Sequence, residues 1–354
     1  MSRLLAVRQA MRQEAVDAFV VMNPANVRYL SRFTGSTATL LITLEQAFLL
    51  TDSRYIEQAK LQAGEYQTLD TEGETFRALG LLAAPAPWER IAFEGTSITF
   101  EDYGRLSAAL KGKELCSHSS LIKRLRSVKD EGEIALIRQA VALADQAFAH
   151  LLRTLAVGQT EAEISLALEF HMRQAGASGG AFEFIVASGW RSAMPHGVAS
   201  PKKTAPGELL TLDFGAVYEG YCSDMTRTLC LGIATEQQRE IYEIVLAANK
   251  AGIAAIKPGI KGREVDAAAR KLIADAGYGA YFGHGLGHSL GLEIHEGPSL
   301  NKSEEQTLEP GMVVTVEPGI YLPSWGGVRI EDLVLVTERG GEVLTQAPKE
   351  FMII

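Results

Sequence analysis

The sequence has 354 residues, 47% hydrophobic and 22% charged, the balance of a folded globular protein rather than a disordered chain. Thirty-four Lys and Arg against 43 Asp and Glu leave a net charge of −9, opposite in sign to the basic excess of a nucleic-acid binder. The length suits one or two cores at roughly 150 residues per domain, and no apolar run approaches the ~18 residues of a membrane helix.

Residues 1–16 carry helical periodicity interrupted by Arg and Gln, which predicts an amphipathic first helix and not a secretory segment. AFVV over 18–21 predicts a buried strand, NPAN over 23–26 a turn, and 37–44 and 47–51 two further strands. Residues 53–63 are helical again, 90–94 extended and 99–111 helical. These describe an α/β domain without His, Cys or acidic residues at ligand spacing, for which a lid or oligomerisation role is expected. The charge-rich stretch 121–135 then leads into a long helical pattern. The boundary is placed near residue 124, giving domains 1–124 and 125–354. The cysteines, Cys116, Cys222 and Cys230, are odd in number. The last two fall on one predicted strand, too far apart for a disulfide, so a reducing cytoplasm is the expected compartment.

The second part contains a repeat. APGELLTLDFG (205–215) matches EPGMVVTVEPG (309–319), and upstream AVGQTEAEI (156–164) matches KPGIKGREV (257–265) in the same order. Each unit therefore reads as helices followed by an antiparallel ribbon carrying an acid, and two such halves can build one site at their interface.

In the first ribbon, a hairpin centred between Tyr218 and Glu219 sets Asp213 directly opposite Asp224, with Cβ atoms ~5 Å apart. Two bare carboxylates there repel, and a cation is the usual remedy. The second ribbon repeats the arrangement with Glu317 and Glu331 across a longer turn holding Pro323, Gly326 and Gly327. Nearby, FGHGLGHSLGLEIHEGP (282–298) supplies His284, His288 and His295, while AMPHG places His196 on a loop. The glycines around His284 and His288 argue against a helical metal motif. Four carboxylates are neutralised by two divalent cations, and oxygen-rich ligation with one imidazole favours Mn²⁺ or Co²⁺, with Zn²⁺ the third choice. Two metals ~3.5–4 Å apart can share a water and bring its pKa near 7, so hydrolysis is the expected reaction class. His118, His150 and His171 are read as structural.

At these residues the sequence resembles the pita-bread metallopeptidases, in the Xaa-Pro dipeptidase (prolidase) and Xaa-Pro aminopeptidase (aminopeptidase P) branch. LLTDSRYIEQA (49–59) is similar to that branch's N-terminal domain. IVASGWRSAMPHG, LDFGAVYEGYCSDMTRT, GHGLGHSLGLEIHEGP, EPGIY and GGVRIED resemble its catalytic motifs, in order. The resemblance implies an α/β N-terminal domain of the creatinase/prolidase type and an α+β pita-bread catalytic domain with an internal pseudo-twofold repeat.

It further implies five metal ligands: Asp213, Asp224, His288, Glu317 and Glu331. His288 is singled out by the family's H-x6-H-E pattern. Asp224 and Glu331 would bridge two ions, Asp213 serving one and His288 and Glu317 the other. The nucleophile implied is a metal-bridging hydroxide, with Glu317 relaying its proton to the leaving nitrogen. His196 and His295 would hydrogen-bond substrate and the tetrahedral intermediate, and His284, Tyr321 and Arg329 are substrate-contact or supporting positions.

The implied reaction is hydrolysis of the Xaa-Pro bond of dipeptides or short peptides by a cytoplasmic homodimer, with no nucleic-acid or membrane partner. Dipeptides are slightly favoured on chain length within the branch, although Ser299 stands where relatives often carry an Arg suited to a dipeptide carboxylate. The alternatives are a creatinase-like amidinohydrolase, a non-enzymatic binding module on the same fold, and a methionine aminopeptidase. Retention of all five ligands argues against the first two, and the long N-terminal domain against the third.

Overall fold

The computed structural model describes residues 2–354, and the chain divides into two compact units between Arg126 and Ser127. The first unit is built on strands β1 (Ala18–Val21), β2 (Thr39–Thr43), β3 (Ala47–Thr51), β4 (Gln67–Asp70), β5 (Arg90–Phe93) and β6 (Glu114–Ser117). Its helices are α1 (Arg3–Gln13), α2 (Pro24–Ser31), α3 (Ile56–Gln62), α4 (Thr75–Ala83) and α5 (Phe100–Ala109), with α6 (Ser120–Ser127) running to the division. The strands form one sheet in the order β4-β3-β2-β1-β5-β6, mixed in direction.

β1, β2 and β3 are buried at every position, so they read as continuous apolar runs rather than alternating ones. The helix expected over 1–16 is α1, with Met1 outside the described residues. It ends at Gln13, and Ala15 takes a left-handed conformation beyond it. NPAN is not only a turn, as expected, but the start of a helix. The Asn23 side chain accepts from the Asn26 amide and Pro24 takes the first helical turn. The buried Glu94 carboxylate, just past β5, accepts the Met22 and Asn23 amides as well.

The second unit runs through two helix-then-strand series. The first is α7 (Glu131–Thr154), α8 (Glu161–Gln174), β7 (Gly179–Gly180), β8 (Ile185–Ser188), β9 (Leu209–Phe214), β10 (Ala216–Tyr218), β11 (Tyr221–Cys222) and β12 (Met225–Cys230). The second is α9 (Glu236–Ala255), α10 (Gly262–Asp275), β13 (Gly287–Ser289), β14 (Glu296–Leu300), β15 (Val313–Val316), β16 (Gly319–Leu322), β17 (Gly326–Arg329) and β18 (Asp332–Thr337), with β19 (Gly340–Val343) closing the chain's last sheet. Capping boxes Asp130/Glu133, Thr160/Glu163 and Thr235/Gln238 start three of the four long helices.

Each series packs its helices on its ribbon. α7 and α8 bury Phe148, Leu168 and Met172 against Leu210, Leu212 and Phe214. α9 and α10 bury Tyr242, Val245 and Ile273 against Val314, Val316 and Ile330. The two ribbons join where the Glu331 amide donates to the Thr226 carbonyl, 3.1 Å, and the Arg329 amide to Thr228 Oγ1, 3.2 Å.

The first ribbon's register corrects the expected one. Tyr218 pairs Tyr221 and Asp213 pairs Thr226, so the turn lies between Glu219 and Gly220, one residue later than expected. Both turn residues have positive φ, 46° and 80°, the geometry whose twist suits a two-residue hairpin. Asp213 and Asp224 are therefore diagonal rather than directly opposed. A two-residue slip preserves side-chain parity, so they still share a face. The strand expected to hold both Cys222 and Cys230 is interrupted at Ser223 and Asp224, and the three cysteines are thiols rather than disulfides.

Candidate metal centre

Asp213 lies within β9's run of buried residues, and Asp224 sits in the break between β11 and β12. In the second ribbon, Val316 pairs Asp332 and Gly319 pairs Arg329. Carrying that register through the gap sets Glu317 opposite Glu331. The four acids face a cavity of about 470 Å³ that His196, His284, His288, His295 and Arg329 also line.

Three of these side chains, Asp224, His288 and Glu331, offer ligand atoms within 4.8 Å of one another. His288 Nε2 lies 3.6 Å from Asp224 Oδ2 and 3.5 Å from Glu317 Oε1. Asp213 is held differently, its Oδ2 accepting Arg329 Nη2 at 2.6 Å. The other oxygen of Asp213, and Oδ1 of Asp224, are buried without a hydrogen-bond partner. Two buried orphan carboxylate oxygens are costly in a folded protein and point to a missing counter-charge.

Burial, followed by the neighbouring carboxylates, raises the Asp224 and Glu331 acids well above the ordinary range. Glu317 is pushed up to about 8, chiefly by burial, against the opposing pull of Arg329. His288 is pulled down to about 4 by burial, so its imidazole is neutral at pH 7. Its Nδ1 sits 3.1 Å from the Ser289 carbonyl, which assigns the proton there and leaves the Nε2 lone pair toward the acids. Carboxylates plus one neutral imidazole are the donor chemistry of a hard or borderline divalent cation, and these residues fit one.

The supporting contacts follow strand parity. Thr226, two residues past Asp224, donates its hydroxyl to Glu331 Oε2 at 2.7 Å. Thr315, two residues before Glu317, accepts the His288 amide at 3.0 Å and donates to Glu317 Oε1 at 3.2 Å. Behind Glu331, the fully buried Arg227 donates to the Glu331 carbonyl and to Asp332 Oδ1. None of Thr226, Thr315 and Arg227 is among the site residues expected from the sequence. The parity rule that placed Arg329 beside Glu331 also reaches both threonines, whereas nothing local marks Arg227.

The remaining expected residues divide. His196 and His295 line the cavity, and the His295 ring lies 4.5 Å from that of His288, edge-on. Tyr321 is not part of the lining. Its hydroxyl accepts Arg329 Nη1 at 2.9 Å and donates to His284 Nε2 at 2.9 Å, while His284 Nδ1 faces the Gly285 carbonyl at 2.8 Å. Burial and then Arg329 hold His284 down at about 4, so this chain of donors ends on a neutral ring. Phe182, Ile185, Val198 and Ile294 form an apolar wall that the sequence reading did not identify.

Comparison with known proteins matches residues 135–338 to metallopeptidase family M24 and residues 3–128 to the creatinase/prolidase N-terminal domain. An Xaa-Pro dipeptidase of Pyrococcus horikoshii is 38% identical, with 97% of this chain and 96% of that protein covered. The structure of an Xaa-Pro dipeptidase from Bacillus anthracis superposes with a TM-score of 0.97 at 44% identity, covering 99% of each chain. That of an X-Pro aminopeptidase from Thermotoga maritima gives 0.93 at 38%, covering 100% of each. With its two domains matched end to end and its acids and imidazole gathered in one cavity, the chain belongs to metallopeptidase family M24, in the pita-bread branch of the prolidases and aminopeptidases P.

Proposed function

We propose that this protein hydrolyses the Xaa-Pro bond of dipeptides and short peptides, dipeptides being slightly preferred, with two divalent ions held by Asp213, Asp224, His288, Glu317 and Glu331. The observation carrying this reading is the convergence of four acids and one neutral imidazole on a single cavity, with two carboxylate oxygens left without partners. Mn²⁺ or Co²⁺ suits these donors best, ahead of Zn²⁺. When bound, such ions polarise the scissile carbonyl and supply an activated water as nucleophile at neutral pH.

The protein's own groups supply the rest. Glu317, oriented by the Thr315 hydroxyl, takes a proton from the attacking water and passes it to the leaving nitrogen. That nitrogen is a proline nitrogen in a tertiary amide, so it arrives without a hydrogen and leaves only if one is delivered. His196 and His295 donate to the carbonyl oxygen as charge develops on it. Phe182, Ile185, Val198 and Ile294 offer the pyrrolidine ring an apolar face. Arg329 is engaged by Asp213 and Tyr321, so its charge holds the acids in place.

The relatives named as Xaa-Pro dipeptidases support the dipeptide preference, and Ser299 on the cavity wall is the residue at which it is tested. Turnover of Ala-Pro, Ala-Pro-Ala and a control Ala-Ala by the Mn²⁺-loaded enzyme decides it. Ala-Pro is expected to lead. A tripeptide cleaved equally or faster makes the enzyme an aminopeptidase, and cleavage of Ala-Ala at the same rate removes the proline specificity altogether. We further propose that the N-terminal domain, read as residues 1–124, serves in closure or in a homodimer, and that the enzyme works in the cytoplasm.

A further inference from the structure

We infer that Glu161, outside the cavity, is a positioning residue that fixes the loop carrying His196, an inference that rests on the role proposed for that histidine. Glu161 is the first residue of α8 and is fully buried. Its carboxylate takes five donors. Oε1 accepts the Ser188 amide at 2.7 Å and the Ser188 hydroxyl at 2.8 Å. Oε2 accepts Arg191 Nη1, the Ser200 hydroxyl at 2.6 Å and the Ser200 amide at 3.2 Å. Ser188 ends β8, Arg191 lies in the 3₁₀ turn Gly189–Ala193, and Ser200 is on the returning limb. One carboxylate therefore joins both ends of the segment whose far side carries Pro195 and His196 into the cavity.

The surrounding contacts make this a built clamp. The Glu161 and Ala162 amides donate to the Lys202 and Ser200 carbonyls, 3.0 Å each, so the free amides of the helix start hold the returning limb. A carboxylate at that position is also favoured by the helix dipole. Arg191 Nη2 donates to the Val198 carbonyl at 2.9 Å, two residues past His196. The loop's far side meets the cavity wall where Arg329 Nη1 reaches the Pro195 carbonyl, 3.3 Å. His196 itself is fixed by its neighbours, and those neighbours are fixed by Glu161. A loop held by a single 3₁₀ turn that must present one ring in a fixed position needs such an anchor, because misplacement by about 1 Å can lower a rate 10²-fold.

The test is a double-mutant cycle in the Mn²⁺-loaded enzyme with an Xaa-Pro substrate. Glu161→Gln keeps the volume, removes the charge and replaces one of the two acceptor oxygens by an NH2 donor. It is expected to lower kcat about 10- to 100-fold, with KM changing little and bound metal per chain unchanged. His196→Ala is expected to lower kcat by itself. In the His196→Ala background, Glu161→Gln should then cost less than about threefold, since two changes acting through one ring are not additive. An equal loss in both backgrounds, or loss of metal in Glu161→Gln, overturns the inference while leaving the proposed function standing. An unchanged kcat in His196→Ala overturns the role of that histidine and the inference with it. Should Glu161→Gln not fold, Ser200→Ala removes one donor at the same oxygen. It should produce a smaller loss of the same kind, and Ser200→Thr, which keeps the hydroxyl, should restore it; no loss in Ser200→Ala overturns the inference.

Discussion

The acids of the cavity differ in what they lack. Asp213 has one oxygen on Arg329 and one bare, Asp224 has Oδ1 bare and Oδ2 3.6 Å from His288 Nε2, and Glu331 is met by the Thr226 hydroxyl. Those unmet oxygens distinguish this cluster from a solvated acidic face, and in the proposed function the acids and His288 hold ions while His196 and His295 touch substrate. His196→Ala is accordingly expected to reduce kcat by about 10²–10³ while bound metal per chain stays at the wild-type level, both read on one preparation. Loss of metal in that variant would place His196 among the ligands and contradict the assignment. Individual residues were legible where chemistry and spacing coincide. Asp213, Asp224, Glu317, Glu331 and His288 all reach the cavity expected of them. Tyr321 shows the limit, because a phenol four residues past Glu317 reads the same whether it faces the cavity or, as found, bridges Arg329 and His284.

Ribbons rather than single residues set the geometry of the site, and two glycines allow neighbouring strands within each half to approach closely. A Cβ on Gly215 would lie 1.8 Å from the Ser223 carbonyl oxygen, and one on Gly287 would lie 2.0 Å from that of Thr315. Both obstacles are backbone, next to Asp224 in one ribbon and two residues before Glu317 in the other. Gly215→Ala is therefore predicted to push the Asp224 segment aside, costing about 1–3 kcal/mol of stability and lowering metal affinity together. A variant with wild-type unfolding and metal binding would show that the strands have room to spare. At this scale the repeat was readable from its paired Pro-Gly turns and strand-borne acids, but the register was not. Placing the first turn one residue late required knowing that Glu219 accepts a left-handed conformation, which no local signal gives for a glutamate. The helix at Pro24 was missed for a related reason: an Asn-Pro pair opens a turn or caps a helix equally well, and the buried Glu94 that helps decide it is distant in sequence.

For the whole molecule the consequence is a dependence of stability on pH and metal together. In metal-free protein, burial holds Glu317 up at about 8 and raises Asp224 and Glu331 as well. A group whose folded pKa is raised contributes its stability below the unfolded value, about 4.3 for Glu. That contribution is lost as pH climbs through the folded value. Metal-free protein should thus lose thermal stability between about pH 5 and pH 8, while divalent ions replace the protons and compensate the charge. The difference in Tm between metal-loaded and chelator-treated protein is predicted to widen from pH 6 to pH 8; a constant difference would mean that the acids do not share a site with the ions.

The claim on which the rest depends is that this cluster binds a pair of divalent ions. Equilibrium dialysis of chelator-stripped protein against Mn²⁺, with elemental analysis of the metal retained, measures it directly. Two ions per chain in the native sequence, and a clear deficit in His288→Ala and Glu331→Ala, is the predicted result. Stoichiometry near zero in the native protein, or undiminished in both variants, would contradict it.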